Sequence, residues 1–194
     1  MSTRNYMNEY IGNCSNIIDW TDVIAHLEDQ EVGVLVDCNE DAWAKRISKM
    51  NPEQAEHNTA NFNRWLTSKY DLRHADFWMY RPRLHFSEEV AKTFCEFAGI
   101  EFENVWIARV DPGCTVPKHY DIFGRSEEEE KDYVRVICFI NPPAAGQIFV
   151  VGEDGYHNVP QGDTYLWDKA TEWHSGSNSS LTSSYTLHAE GRRL

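Results

Sequence analysis

From residue 104 onward the chain consists of short apolar runs separated by turn residues, and this pattern constrains the fold more than any other feature. The runs are NVWIARVD, YVRVICFI, GQIFVV, TYLWD and SSYTLHAE, and the separators include DPG, NPPAAG, GEDG and PQGD. β-Branched and aromatic residues favour extended backbone, whereas glycine, proline, asparagine and aspartate favour turns. Several short strands at this spacing predict a β-sandwich or a β-barrel.

The first hundred residues have a different, mainly helical pattern. Three segments have helical signals. Apolar residues at helical spacing follow Asp19 in DWTDVIAHLEDQ, Asn51 is the first residue of NPEQAEHNTANFNRWL, and Ser87 is the second residue of FSEEVAKTFCEFAG. Side chains of these three types accept hydrogen bonds from the first free N–H groups of a helix, so each predicts a helix start. The segment EVGVLVDC is short, apolar and β-branched, and it predicts a strand.

Length and composition favour one globular domain of mainly β structure with flanking helices. The chain has 194 residues, of which 41% are hydrophobic and 13% aromatic, which is enough for a substantial core. We expect a single domain over residues 1–194, with a mostly helical support region in 1–100 and the β core in 104–190.

Charge and cysteine content exclude several classes of partner. The formal net charge is −13 at pH 7, and this argues against nucleic acid, because phosphate binding needs a basic face. The five cysteines include no C-x-x-C pair, which is typical of reduced thiols in a cytosol-like compartment. No apolar leader or membrane-length apolar run is visible. We therefore expect a cytoplasmic protein without a nucleic-acid or membrane partner, and the sequence predicts no oligomeric state.

The segment VPKHYDIF carries His119 and Asp121 in an otherwise strand-like context. Residues i and i+2 of a strand project to one face, and burying two such groups is costly unless something pairs them. A metal ion is one such partner, and His174, in GDTYLWDKATEWHSGSN, is a candidate third ligand. Two histidines and one carboxylate form the set that holds non-haem iron(II) with open coordination positions. Hydrogen-bonded core histidines, or zinc on the same ligands, would produce the same pattern.

The residues around these candidates resemble the 2-oxoglutarate- and iron(II)-dependent oxygenases, and in particular the aspartyl/asparaginyl β-hydroxylase-like branch. VWIARVDPGCTVPKHYD is similar to the strand–turn–strand that carries the first ligand histidine of that branch. YVRVICFINPP resembles its next strand, and GDTYLWDKATEWHSGSNSS resembles the segment with the second ligand histidine. The resemblance covers residues 104–190. It implies a double-stranded β-helix (jelly-roll, cupin-like) core that holds Fe(II).

The resemblance also implies residue roles and a reaction. His119, Asp121 and His174 would be the catalytic metal ligands, and Arg135 would bind a carboxylate of 2-oxoglutarate. The implied activity is that of a dioxygenase that consumes O2 and hydroxylates a C–H bond of an amino acid, a peptidyl residue or a related small polar molecule. Succinate and CO2 would be released. The presence of Asp121 favours hydroxylation over halogenation, in which chloride takes the place of the carboxylate.

One departure from the family concerns the distal carboxylate of 2-oxoglutarate. The arginine that usually follows the second ligand histidine is absent, and Ser184 and Tyr185 stand in its neighbourhood. Arg135, His188 and Arg192 are the candidate replacements.

Other functions and two further motifs remain open at this stage. The same residues fit a non-enzymatic, cupin-like metal-binding barrel, a zinc-dependent enzyme on the same scaffold, or a metal-only or cofactor-independent isomerase or hydrolase. FWMYRPRLHF places Arg81, Arg83 and His85 in alternation, which indicates either a carboxylate-binding face or surface ion pairs. RSEEEEKD, at 125–132, is either a solvated loop or a lid over the site.

Overall fold

The computed structural model describes residues 8–29, 33–121, 133–167 and 172–194. RSEEEEKD, and with it the interpretation of that segment as a loop or lid, lies outside the described residues. The strands are β1 (Asn8–Asn13), β2 (Val34–Asp37), β3 (Asp76–Tyr80), β4 (Asn104–Val110), β5 (Thr115–His119), β6 (Tyr133–Phe139), β7 (Gln147–Val151), β8 (Asp154–His157), β9 (Asp163–Trp167), β10 (His174–Asn178) and β11 (Ser184–Arg192). The helices are α1 (Trp20–Asp29), α2 (Glu40–Ile47), α3 (Pro52–Thr67) and α4 (Glu88–Ala98), with a 3₁₀ turn at Leu72–His74.

The strands form two antiparallel sheets that face each other. The large sheet has the order β1-β9-β6-β11-β4-β3-β2, and the small sheet has the order β5-β10-β7-β8. From β4 onward the chain crosses repeatedly between the two sheets, so that strands distant in sequence become neighbours. This is the topology of a jelly roll, and it confirms the predicted fold class of a mainly β core with flanking helices.

The helix starts lie where the capping residues predict them. Asn51 accepts a hydrogen bond from the backbone N–H of Gln54 at 2.9 Å, and Ser87 accepts one from that of Glu89 at 3.1 Å. Helix α4 ends at Gly99, whose φ of 66° is a left-handed conformation that glycine adopts without steric cost. Among the described residues, no helix is both long and apolar enough to cross a membrane.

Three elements of the first hundred residues are not predicted by the sequence. Strand β1 joins β9 at one edge of the large sheet, and β3 pairs with β4 near the other edge, where it is followed by the predicted β2. β1 reads NEYIGN and lacks apolar alternation, because an edge strand needs little burial on either face. Helix α2 is short and follows a cap at Asn39, which accepts from the N–H of Ala42 at 3.0 Å.

Strand β6 shows how the large sheet separates two compartments. Val134, Val136 and Cys138 belong to the main core, and their side chains lie on the face of the large sheet that packs against α1 and α4. The alternate residues point into the space between the two sheets, where Ile137 packs with residues of the small sheet and β9. Arg135 shares that inward face because strand side chains alternate. A buried arginine between the sheets is the first sign of a polar site inside the barrel.

Candidate metal centre

His119 and His174 meet because their strands are hydrogen-bonded neighbours. His119 is the last residue of β5 and His174 the first of β10, and the two residues are directly paired in the antiparallel register. Their ring centroids lie 4.2 Å apart. The paired strand ends therefore place both imidazoles at the same opening of the barrel.

Backbone carbonyls determine which nitrogen each imidazole presents to the site. Nδ1 of His119 lies 2.8 Å from the carbonyl oxygen of Pro117, and Nδ1 of His174 lies 3.0 Å from that of Glu172. A carbonyl oxygen only accepts, so each Nδ1 carries the proton and donates it. In the neutral ring Nε2 then keeps its lone pair. A histidine that binds a metal commonly has its other N–H held in this way.

Asp121 completes the cluster from just beyond β5. The strand ends at His119, so the expectation that both residues lie in one strand is wrong for Asp121, although its side chain still reaches the site. Its Oδ1 is 3.7 Å from Nε2 of His119, and its Oδ2 is 3.4 Å from Nε2 of His174. The three ligand atoms lie within 4.8 Å of one another. Two imidazole lone pairs and one carboxylate at this spacing fit a single divalent first-row metal ion.

Arg135 supplies a positive charge at the same position. Its Nη1 donates to Oδ2 of Asp121 and lies 3.2 Å from Nε2 of His174, while its Nη2 donates to Glu190. The guanidinium also lies over the ring of Trp106, with its carbon 5.0 Å from the centroid. The cluster thus attracts a cation through Asp121 and His174, which are two of the groups that a metal ion would use.

The charge states follow from burial and from this arginine. Burial lowers the pKa of His119 to about 4, and the neighbouring His174 lowers it as well, so the imidazole is neutral at pH 7. Burial alone would raise the pKa of Asp121, but the charge of Arg135 holds it well below its usual range. A neutral imidazole and an ionised carboxylate are the forms that bind metals.

Glu190 is a buried member of the site that the sequence analysis does not identify. It pairs with Arg135 and accepts a hydrogen bond from Nδ2 of Asn104 at 2.8 Å. Asn104 in turn accepts from Nη1 of Arg81 at 2.6 Å. Glu190 lies two residues after His188 on β11, so the two-residue period of a strand was a signal that could have placed both on the inward face.

The other candidate anchors lie at different depths. His188 is buried and lines the cavity described below, where its ring stacks on Trp106 with centroids 5.1 Å apart. Its Nε2 lies 2.9 Å from the hydroxyl of Thr186. Burial, and then the charge of Arg135, lower the pKa of His188 well below its ordinary value, so the ring is neutral. Arg192 is exposed near the chain end, two residues beyond Glu190.

Helix α3 holds the backbone on both sides of His119. Nε1 of Trp65 donates to the carbonyl of Lys118 at 2.7 Å, and Nε2 of His57 donates to the carbonyl of Tyr120 at 2.7 Å. Nδ2 of Asn61 donates to that second carbonyl at 3.3 Å. Residues 57, 61 and 65 are four apart and therefore share one face of the helix. The sequence predicts none of these contacts.

A cavity of about 400 Å³ opens from the metal cluster toward helices α2 and α3. Its barrel wall includes Trp106, Phe149 and His188, and its helical wall includes Trp43 and Asn61. This volume lies within the range of small-molecule sites, roughly 300–1,000 Å³. The three candidate ligands line the same cavity, so a molecule bound there would contact the metal centre.

Comparisons with known proteins give fold-level similarities without a family. No family model matches the chain, and no curated protein matches it. Solved structures with some similarity include a Pseudomonas putida prolyl-4-hydroxylase, at 12% identity over 89% of this chain and 99% of that one, with a TM-score of 0.46. Another is the viral collagen prolyl hydroxylase from Paramecium bursaria Chlorella virus-1, at 17% identity over 86% and 98%, with a TM-score of 0.43.

Cupins are also found among these structures. The Cnp3 cupin domain of Schizosaccharomyces pombe is 9% identical over 60% of this chain and 64% of that one, with a TM-score of 0.38. At such identities and scores we assign neither a family nor an activity from the similarity. What the chain itself defines is a jelly-roll protein with a candidate His–Asp–His metal centre at one end of its barrel.

Proposed function

We propose that the protein is an Fe(II)- and 2-oxoglutarate-dependent dioxygenase that hydroxylates a C–H bond. The observation that carries this proposal is the convergence of Nε2 of His119, Nε2 of His174 and the carboxylate of Asp121 within 4.8 Å of one another. Both nitrogens are held in the ligating tautomer by backbone carbonyls. In this role the three residues hold Fe(II) and leave positions open for a 2-oxo acid and O2.

The surroundings of the cluster suit a reaction that must be shielded from water. Trp106, Trp167 and Phe149 form an aromatic wall around Arg135 and the ligands. When bound, Fe(II) and 2-oxoglutarate supply the oxidising chemistry, in which one oxygen atom of O2 enters the substrate and the other enters succinate, with release of CO2. The chain's own part is to hold the ligands, orient both organic molecules and exclude solvent.

Arg135 is our proposed partner for a carboxylate of 2-oxoglutarate. Its guanidinium contacts two of the candidate ligands, Asp121 and His174, and a guanidinium binds carboxylates through two parallel hydrogen bonds. Glu190 holds one side of the guanidinium, which would keep Arg135 oriented when Asp121 binds a metal ion. His188 lies on the same inward face, and exposed Arg192 remains the other candidate anchor for the distal carboxylate.

The substrate that we propose is an amino acid, a peptidyl residue or a related small polar molecule. The cavity beside the cluster has a polar helical side with His57, Asn58 and Asn61, and an apolar side with Phe77 and Met79. This combination fits a molecule with both polar and hydrocarbon parts.

The test is an anaerobic titration of metal-free protein with Fe(II) and then with 2-oxoglutarate, followed by visible absorption. We expect a weak charge-transfer band that requires both additions and that is lost in His174→Ala. His157→Ala, at an exposed histidine on β8, is the matched control and should keep the band. Absence of the band in the wild-type protein, together with tight Zn(II) binding, would contradict the proposed function.

A further inference from the structure

We propose that the cavity binds its substrate through an anionic group, a carboxylate or a phosphate, held by Arg46 with Arg81 behind it. This inference rests on the proposed function, in which the substrate occupies the cavity beside the metal centre. It goes further, because it assigns a charge to the substrate and places the group that recognises it on helix α2.

Arg46 and Arg81 each lie over a tryptophan that lines the cavity. The guanidinium carbon of Arg46 is 5.6 Å from the ring centroid of Trp43, and that of Arg81 is 5.4 Å from that of Trp106. Arg46 itself also lines the cavity. These cation–π contacts help to hold both guanidinium groups in place, and Arg81 is also held by the hydrogen bond from its Nη1 to Asn104.

Neither guanidinium forms a direct ion pair with a carboxylate in the described part of the chain. No carboxylate there lies within 4.0 Å of the guanidinium nitrogens of Arg46 or Arg81, and the polar partner of Arg81 is the neutral amide of Asn104. Burial lowers the pKa of Arg81, the negative charge of Glu190 raises it, and the positive charge of Arg46 lowers it to a smaller extent than Glu190 raises it. A guanidinium that lines an open cavity without a directly paired carboxylate, as Arg46 does, favours an anion as its ligand.

The charge of the cavity wall contrasts with that of the protein. Among the described residues that line the cavity, the acidic one is Asp121, and it is paired with Arg135. Arg46 therefore contributes a positive charge to the described cavity wall that is not directly paired there, in a chain whose formal net charge is −13. A local positive site in so acidic a protein does not follow from its composition, and this indicates a specific role.

The structure also separates the members of the alternating motif FWMYRPRLHF. Arg83 pairs with Glu88, and buried His85 accepts a hydrogen bond from the backbone N–H of Arg81 at 2.8 Å. Arg81 alone of the three faces toward Trp106. The carboxylate-binding face therefore does not form along the motif, and the second arginine of the proposed anion site comes from α2.

The test compares ligands that differ only in charge. Protein loaded anaerobically with Fe(II) and 2-oxoglutarate is titrated with the common L-amino acids, with their primary amides and with inorganic phosphate, and the change in Tm and in the visible band is recorded. We expect at least one acid, or phosphate, to bind, and the corresponding amide to bind at least about tenfold more weakly. Whether an amino acid or inorganic phosphate binds shows whether the site takes a carboxylate or a phosphate.

Variants then locate the site. Arg46→Gln should lower the affinity for the anionic ligand found in the screen about tenfold or more. Lys45→Gln, at the adjacent exposed residue of α2, should leave that affinity unchanged. Affinity for Fe(II) and 2-oxoglutarate should be the same in both variants. Three results would overturn the inference. The anionic ligand found in the screen could bind Arg46→Gln with wild-type affinity, amides and acids could bind equally well, or none of the tested compounds could bind. A loss of 2-oxoglutarate affinity in Arg46→Gln would also overturn it, because Arg46 would then serve the cosubstrate.

Failure of the proposed function gives a different result. If the iron and 2-oxoglutarate band never forms, the oxygenase assignment fails. The same acid and amide pairs, measured by Tm on metal-free wild-type and Arg46→Gln protein, still decide whether an anion site exists. A preference for acids that is lost in Arg46→Gln would support the anion site, and equal Tm values for acids and amides would reject it.

Discussion

Arg135 is the residue on which the charges of the site depend. It is 3% exposed and lies between two carboxylates, those of Asp121 and Glu190. A buried cation of this kind contributes less through attraction than its removal costs, because Glu190 would be left buried without a charged partner, and the partly exposed Asp121 would lose its ion pair as well. Its position also explains why a polar cluster persists inside an aromatic barrel.

We predict that Arg135→Met destabilises the fold by about 3–5 kcal/mol at pH 7. The double variant Arg135→Met/Glu190→Gln should be more stable than Arg135→Met alone, because the added Glu190→Gln change removes one of the uncompensated charges. The measurement is chemical denaturation of the metal-free proteins. Lys45→Met is the control, because Lys45 is exposed on α2 and its substitution should cost less than about 1 kcal/mol. Equal stability of Arg135→Met and wild type would show that the buried ion pairs are not formed.

At the scale of elements, helix α3 connects the helical half of the chain to the metal centre. Its residues His57, Asn61 and Trp65 donate to the carbonyls of Lys118 and Tyr120. These carbonyls flank His119 in the chain, so the helix restricts the backbone that carries one ligand and leads to the next. A support of this kind affects metal affinity more than global stability.

We therefore predict that Trp65→Phe, which keeps an aromatic ring but removes the hydrogen bond to Lys118, weakens Fe(II) or Co(II) binding about tenfold. Trp43→Phe is the matched control, because Trp43 packs on Trp65 with centroids 5.1 Å apart and donates only a long bond, 3.4 Å, to Asn58. Its metal affinity should stay within about twofold of wild type. Equal weakening in both variants, with equal loss of Tm, would mean that α3 acts only through packing.

One carboxylate connects three neighbouring strands inside the large sheet. Asp111, just after β4, accepts hydrogen bonds from Arg109 at 2.6 and 3.0 Å, from Ser183 at 2.8 Å and from Trp78 at 3.1 Å. Burial would raise the pKa of Asp111, but these donors hold it below its ordinary value. The carboxylate thus links β3, β4 and the start of β11.

We expect Asp111→Asn to cost about 1–2 kcal/mol at pH 7. A carboxylate whose pKa is lowered by folding contributes stability above its unfolded pKa, about 3.9, and loses it as the pH falls through the folded value. The difference between Asp111→Asn and wild type should therefore shrink below about pH 4. This difference in the free energy of unfolding is measured by denaturation curves at several pH values. The control is Asp29→Asn, at the exposed end of α1. A difference independent of pH would contradict the pairing.

At the scale of the whole molecule, the parts that the sequence predicts are those encoded locally. The helices that start at Asn51 and Ser87 are predicted because a cap and its partner are neighbours in the chain. Strands β4, β6, β7, β9 and β11 are predicted because apolar runs and turn residues alternate, whereas β8 (DGYH) and β10 (HSGSN) contain no apolar run and are not predicted. The strands β1 and β3 are not, since their pairing with β9 and β4 involves residues far apart in sequence.

The residues of the site can also be divided into those that the sequence predicts and those that it does not. His119, Asp121 and His174 are recognisable as a motif, and the structure brings them together. Glu190 and Asn61 are not recognisable, because each contacts a residue far away in the sequence, Glu190 the strand residue Arg135 and Asn61 the carbonyl of Tyr120. Arg46 lies over Trp43 of its own helix, but its place at the cavity exists only once that helix has packed. The two-residue period of a strand can place Glu190 on the inward face, but the contacts themselves give no signal in the sequence before the fold is known.

The most direct test of this account is anomalous X-ray scattering at the iron edge from a crystal prepared anaerobically with Fe(II) and 2-oxoglutarate. We predict one peak per chain, bonded to Nε2 of His119, Nε2 of His174 and the carboxylate of Asp121, with the 2-oxo acid on the open positions. Iron at another place, or no peak while the protein is folded, would contradict the account.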